Sequence, residues 1–331
     1  DMREHLGGFH NDFTYYEYPD GTHWYGDHSV DWPPIFDFFK ARTIPSDEEV
    51  KQLEFHSASP GISAKSHHIT LLQQIRPLGV SQFQYTNDEG IKLDFKNVAT
   101  AEIDFTHFEE IPDTIQVNGQ RIAMNGATST YLRQSSDGWQ SSQAPPITEK
   151  GPHRNGGFKN AFTNNFVMVY GTGGDRETNE WNRMKAMFDA ETFAYRANGY
   201  VEVIRDVDFE ALKYKDRNVI LYGNRDNNLA WENLLANCPV QVGNGTIELE
   251  GKMLSGKKWA TYFIYPRMDS DFASVGVVAA SGLEGLKAGF FNHYLVNGTS
   301  FPDLVLFDQT TLSSGINAVK CAGFFGNDWS I

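Results

Sequence analysis

The spacing of apolar residues changes its period partway along this chain, and that change constrains the fold more than any other feature. Between about residues 52 and 140 apolar and polar residues alternate, in "ITLLQQI", "VSQFQYTNDEGIKLDF", "TAEIDF", "DTIQVNGQRIAM" and "STYLRQSSDGWQ". A period of two puts the apolar side chains on one face of a strand. Between these runs "NDEG", "VNGQ" and "SSDG" carry the Asn, Asp and Gly that tight hairpin turns need. The pattern predicts a small β-sandwich-like domain over 46–150, closed by the Pro/Gly-rich linker "SSQAPPITEKGPHRNGGF". From residue 162 the apolar residues come instead in solid runs, among them "FVMVYGTGG", "RNVILYGN", "WATYFIYPR", "VGVVAAS" and "PDLVLFD". Helical stretches separate them, the longest being "DRETNEWNRMKAMFDAETFAYRANG", where Trp181, Met184, Phe188 and Tyr195 fall near one face. Solid strands between helices fit a sheet covered on both sides. Residues 151–331 are therefore expected to form a three-layer, doubly wound, mainly parallel α/β domain of the flavodoxin or Rossmann kind.

The first 45 residues have a third texture. "DFTYYEY" reads as a strand, and "DWPPIFDFFKAR" as a helix opened by its prolines, with Ile35, Phe36, Phe38 and Phe39 on an apolar face. Between them lies "YPDGTHWYGD", with His23 held between glycines. One strand and one helix cannot bury that much aromatic surface, so residues 1–45 need a sheet to join. A histidine in a loop between a strand and the last helix is where an α/β-hydrolase carries its catalytic base. There an imidazole takes the serine proton and an acid orients the ring. The G-x-S-x-G elbow of that fold is absent, because "SPGISAK" and "LSSGIN" have the wrong spacing. Chain order in the fold is serine, acid, histidine. If His23 is the base, the nucleophile and acid are expected upstream of Asp1, and the chain is expected to be the back part of a longer polypeptide. In the plainer reading, His23 is a turn residue packed on Trp24 and Tyr25.

Composition narrows the partners. A net charge of −14 without a local cluster of Lys and Arg repels phosphate backbones, which argues against nucleic acid. No apolar run approaches the ~18 residues of a membrane helix. Cys238 and Cys321 form no C-x-x-C pair, which removes a thiolate zinc site, and a disulfide between them is left open. Nothing points to an organic cofactor or a metal. The glycine loop "YGTGGDRETN" (Gly171, Gly173, Gly174) resembles a phosphate cradle, with Asp206 in the position of a ribose-binding acid, but Arg176 stands where the fingerprint needs glycine. Asp226, Asn227 and Asn228 follow a strand, where α/β sheets bind ligands, although helix capping serves them equally. Adjacent His67 and His68 read as a surface pair at a strand start. Asp269 and Asp271 lack the rest of a calcium loop, and His153 and Arg154 form a glycine-bracketed knot in the linker. The sequons at Asn244 and Asn297 read as turns.

Several of these stretches together carry a resemblance. "FTYYEYPDGTHWYGDHSVDWPPIFDFF", "SPGISAKSHHITLLQQIRPL", "GPHRNGGFKNAFTNNFVMVYGTGG" and "RNVILYGNRDNN" resemble the C-terminal part of large bacterial α/β-hydrolases of the prolyl-oligopeptidase type. The resemblance implies export to the periplasm or outside the cell. It implies a serine peptidase or esterase acting through an acyl-enzyme on a peptide or ester, and a partner in the form of an N-terminal hydrolase segment or chain. His23 matches the family's catalytic histidine, with Trp24 and Tyr25 at the pocket rim; no other residue matches a triad position. The alternative is a non-catalytic module that binds a glycan or peptide, or assembles with another chain.

Overall fold

The computed structural model describes residues 2–23, 26, 31–291 and 293–331. It is a mixed α/β protein with about 21% helix and 32% strand in several sheets, so neither element alone builds the core. The chain divides into two compact units, residues 1–49 and 50–331.

The first unit holds helices α1 (Met2–Gly7) and α2 (Pro33–Lys40). Pro33 and Pro34 open α2, where a missing N–H costs nothing and the fixed φ suits the first turn. Residues 12–18, expected as a strand, are irregular and join none of the described sheets. Alternation defines a face, but a strand also needs a neighbour for its backbone N–H and C=O groups, and the described residues of this unit include no other strand. The segment lies along α2 instead. Arg42 Nε donates to Asp12 Oδ2 at 3.1 Å, the Arg42 guanidinium sits 3.7 Å from the Phe38 ring centre, and Tyr16 stacks on Trp32 at 5.7 Å. None of the described residues of this unit is buried.

The second unit begins with ten strands: β1 (Gln52–Ser57), β2 (Lys65–Ser66), β3 (Ile69–Gln74), β4 (Ser81–Asn87), β5 (Ile91–Lys96), β6 (Val98–Asp104), β7 (Thr114–Val117), β8 (Gln120–Ala123), β9 (Ser129–Ser135) and β10 (Gly138–Ser142). They form two five-stranded sheets, in orders β1-β4-β5-β7-β8 and β10-β9-β6-β3-β2. Phe83, Tyr85 and Leu93 of one sheet share a core with Leu71, Ile103 and Leu132 of the other. The β7–β8 turn puts Asn118 and Gly119 at φ +46° and +84°, the two positive values that such a two-residue turn requires. Strand β1 has few apolar residues, and only one of its faces is covered. His68 corrects the reading of a surface pair: it is 1% exposed and packs against Tyr85, Phe105 and Phe108. His67 takes the positive φ of the β2–β3 turn, which swings the following side chain inward.

Beyond these come β11 (Phe166–Tyr170), α3 (Arg176–Ala197), β12 (Glu202–Arg205), β13 (Asn218–Tyr222), α4 (Ala230–Leu235), β14 (Val240–Gly243), β15 (Thr246–Leu249), β16 (Lys252–Ser255), β17 (Ala260–Pro266), β18 (Ser274–Ala280), α5 (Leu283–Ala288), β19 (Leu304–Phe307), α6 (Thr311–Ser314) and β20 (Cys321–Gly323). Seven of these strands form one sheet in the order β12-β11-β13-β18-β17-β19-β20, and β14 to β16 form a small antiparallel sheet. The first three pairings of the large sheet are parallel and the last three antiparallel, so it is mixed where the sequence suggested a mainly parallel one. The cause is the connection between β17 and β18. Residues 267–273 are too few for the crossover that parallel neighbours need.

Helix α3 also departs from expectation. Asp175 caps its start by accepting from Thr178 N, and Asn198 ends it at φ +51°. Its buried side is polar: Asn182, Lys185, Ala186 and Asp189 face the sheet, while Met184 and Tyr195 are 49% and 89% exposed. Lys185 Nζ donates to Asp189 Oδ1 at 2.6 Å and to Tyr294 Oη at 2.7 Å, and Tyr222 Oη donates to Asp189 Oδ2 at 2.9 Å. Burial pushes both phenols far above their usual range, which keeps them protonated as donors, and the same burial pulls the Lys185 ammonium down. Trp181 and Phe188 are covered from outside by Phe290. Two rings of the apolar stripe thus pack on a loop while the rest of it is exposed, and the polar stripe enters the core because partners wait for it there.

Candidate functional site

His23 lies on an exposed bend. Gly21 N donates to Tyr18 O at 3.2 Å, and Asp20 takes φ +63°, so a tight turn delivers the histidine to the surface ahead of α2. Trp24 and Tyr25 lie outside the described residues. Ser46, the only serine among the described residues of the first unit, donates its hydroxyl to Glu49 Oε2 at 2.9 Å, a local turn contact.

The large sheet has a switch point. The chain leaves β11 toward β12 on one side, and β13 pairs on the other, which opens the carboxyl ends of β11 and β13 as the usual place for a ligand. Gly171, Gly173 and Gly174 are there, but their amides are committed. Gly171 N donates to Tyr222 O, Gly173 N to Asn227 O and Gly174 N to Asn179 Oδ1, each at 2.9 Å. Asn228 Nδ2 donates to Tyr222 O at 2.9 Å. Asp206 is buried and accepts from Thr172 Oγ1 at 2.6 Å, Leu229 N at 2.8 Å and Val207 N at 3.0 Å. Asp226 Oδ2 accepts from Asn244 N at 2.5 Å. A side chain on Gly171 would meet Asn227 O at 2.4 Å, so glycine is needed for the loop after β13 to close on the end of β11. The donors that could cradle a phosphate here instead hold two loops together.

A cavity with a more distinctive lining is elsewhere. It encloses about 700 Å³, and two of the stretches that carried the family resemblance meet in it. "SPGIS" brings Ser59, Gly61 and Ile62; "GPHRNGG" brings His153, Asn155 and Gly156. The two stretches are locked together. Asn155 Nδ2 donates to Ser59 Oγ at 3.1 Å, and a Cβ on Gly61 would sit 2.9 Å from Asn155 Cβ. Gly156 and Gly157 have φ of +90° and +80°, and a Cβ on Gly156 would lie 2.5 Å from Asp303 Oδ1. Buried Asp303 accepts from Gly157 N, Lys150 Nζ and, at 2.9 Å, Phe325 N. Arg154, also buried, donates to the carbonyls of Ala273, Ser270 and Arg267 at 2.8, 3.1 and 3.3 Å. Burial lowers its pKa to about 10, which still leaves it charged at neutral pH. His153 Nε2 donates to Ile147 O at 2.9 Å, and burial pushes the ring below its ordinary value, so it is neutral at pH 7. The linker is therefore a built wall of the cavity, and no signal in its sequence distinguishes it from a flexible tether.

The other candidates are structural. Arg267 holds Asp269 through two bonds of 2.9 and 2.6 Å. Asn244 and Asn297 occupy turns, and Asn297 borders the cavity. Cys238 and Cys321 are both free thiols. Among the described residues no group of three or more His, Cys, Asp and Glu is arranged to hold a metal, and no helix is long and apolar enough to cross a membrane. No family model matches the chain, and neither does any curated protein.

Proposed function

We propose that residues 1–49 are the closing strand, base loop and helix of a serine hydrolase domain of the prolyl-oligopeptidase type, and that residues 50–331 are its accessory portion. In this reading 50–150 is a β-sandwich and 151–331 a three-layer α/β domain. The observation that carries it is that no described residue of the first unit is fully buried. Phe9, Tyr15, Tyr16, Phe36 and Phe39 are between 48% and 69% exposed, a density of aromatic surface that water-soluble chains keep covered. An alternating segment outside the described sheets, a surface histidine and an exposed amphipathic helix are the three pieces that the last strand, base loop and last helix of such a domain would leave when described without their sheet. His23 would take the proton of a serine in the N-terminal segment or chain and return it to the leaving group of a peptide or ester. Export to the periplasm or beyond goes with the same reading.

The test uses the natural polypeptide, purified with whatever N-terminal segment accompanies it, and a fluorophosphonate probe. Labelling of a serine outside this chain, and a ~10³-fold or greater loss of turnover in His23→Ala, is the expected result. A verified, folded parent protein that takes no label would overturn the reading. His23 would then be a turn residue and the chain a binding or assembly module.

A further inference from the structure

We propose that the cavity between the "SPGIS" and "GPHRNGG" stretches binds a short acidic oligosaccharide, one bearing uronic-acid carboxylates. The inference concerns residues 50–331 and stands apart from the role of His23.

Charge is the first ground. The chain carries 42 acidic residues against 28 Lys and Arg, yet none of the described residues lining the cavity is an aspartate or glutamate. Lys159 and Arg196 both line it. An acid-rich chain that keeps every described carboxylate out of this cavity and retains two cations there favours a ligand that is itself anionic. Lys159 is fixed: its Nζ donates to Val296 O at 2.7 Å and Thr299 O at 3.0 Å. That ties the charge to the wall. Arg196 stands in the last turn of α3, where it offsets the negative end of the helix dipole.

The rest of the lining gives the class. Phe162, Phe193 and Phe301 are partly exposed rings, flat apolar surfaces of the kind that pack on the C–H faces of a sugar. Asn155, Asn160, Thr163, Thr299 and Ser300 add amide and hydroxyl oxygens that can accept from sugar hydroxyls, while the Asn155 amide and the Thr163 and Thr299 hydroxyls already donate to Ser59 Oγ, Asn160 O and Val296 O. A lipid would leave those polar groups unanswered. A peptide is read mainly through a strand edge, and none of the described lining residues belongs to a strand. The volume of about 700 Å³ falls within the roughly 300–1,000 Å³ of small-ligand sites. The walls are preorganised by the Asp303 and Arg154 anchors, so little ordering opposes binding.

The experiment is calorimetric titration of the full 331-residue chain with galacturonate, glucuronate and mannuronate trimers, with maltotriose and triglutamate as controls. Binding of at least one uronate trimer is expected, weakening as salt rises and roughly tenfold or more weaker in Arg196→Glu. Arg196 is on the surface, so the variant should melt like the parent protein. Lys159→Gln, checked for unchanged melting, should weaken binding in the same direction. Equal binding of maltotriose overturns the acidic part of the proposal. Triglutamate binding without any uronate binding, or no binding by any trimer to chain that melts cooperatively, overturns it altogether.

Discussion

Residues 1–49 and 50–331 are both rich in aromatic residues, and they use them in opposite ways. In the second unit Phe83, Phe105, Phe158, Tyr222, Trp231 and Phe263 are fully buried in two cores. In the first unit no described residue is buried at all. The two stretches do not differ in hydrophobicity so much as in what they can close upon. Five- and seven-stranded sheets supply faces that side chains can pack against, and an eight-residue helix beside an irregular segment does not. Aromatic content alone therefore says that a surface must be covered, and not by what.

The contrast can be broken or sharpened by experiment. The largest effect belongs to the buried pair on α3. Lys185→Met leaves the Asp189 carboxylate uncompensated in the core and is expected to destabilise residues 50–331 by about 3–5 kcal/mol in urea unfolding. The double variant with Asp189→Leu should recover part of that loss; a double variant no better than the single one would mean the pair is not what holds the helix. Next comes Gly156→Ala, which adds a Cβ 2.5 Å from Asp303 Oδ1 at a φ of +90° and should cost about 1–3 kcal/mol by the same measurement. An unchanged midpoint would show that the cavity wall is softer than its anchors suggest.

A smaller effect depends on pH. Hydrogen bonds from Thr310 hold the Asp308 carboxyl below its ordinary 3.8, against the opposing pull of burial. The folded state binds this proton less readily than the unfolded chain. Its contribution is therefore complete above about pH 4 and is lost as pH falls through the lower folded value. The stability gap between the parent protein and Asp308→Asn should narrow below that point; a gap that widens on acidification would reverse the assignment. The smallest effect is expected in the first unit. Phe36→Ser with Phe39→Ser, at positions 52% and 65% exposed, should change the stability of this chain by less than about 0.5 kcal/mol, while abolishing its association with an N-terminal hydrolase segment in pull-down. A large loss of stability in the isolated chain would mean that these rings are packed within it, and the comparison would collapse.

Much of the second unit can be read in the sequence, because period-two runs and their Asn-Gly turns are local signals. The hairpins β4–β5, β7–β8 and β9–β10 fall where those signals stand. The site is less legible. The cavity is assembled from residues near 60, 155, 160, 195 and 300, and no local pattern announces that such distant stretches meet. The glycines at 171, 173 and 174 are conspicuous in sequence, yet whether their amides face a ligand or a neighbouring loop depends on Asn179, Tyr222 and Asn227.

What the sequence determines by itself is therefore the set of elements with strong local periodicity, the acidic charge and the identity of the side chains on offer. Tertiary structure alone decides which way a face turns. In α3 the ring-bearing stripe looks like the buried one, but Lys185 and Asp189 are the residues that enter the core, because Tyr222 and Tyr294 wait there with hydroxyls to satisfy them. Residues 12–18 alternate like a strand and join none of the described sheets, because a strand is completed by its neighbour's hydrogen bonds and not by its own sequence.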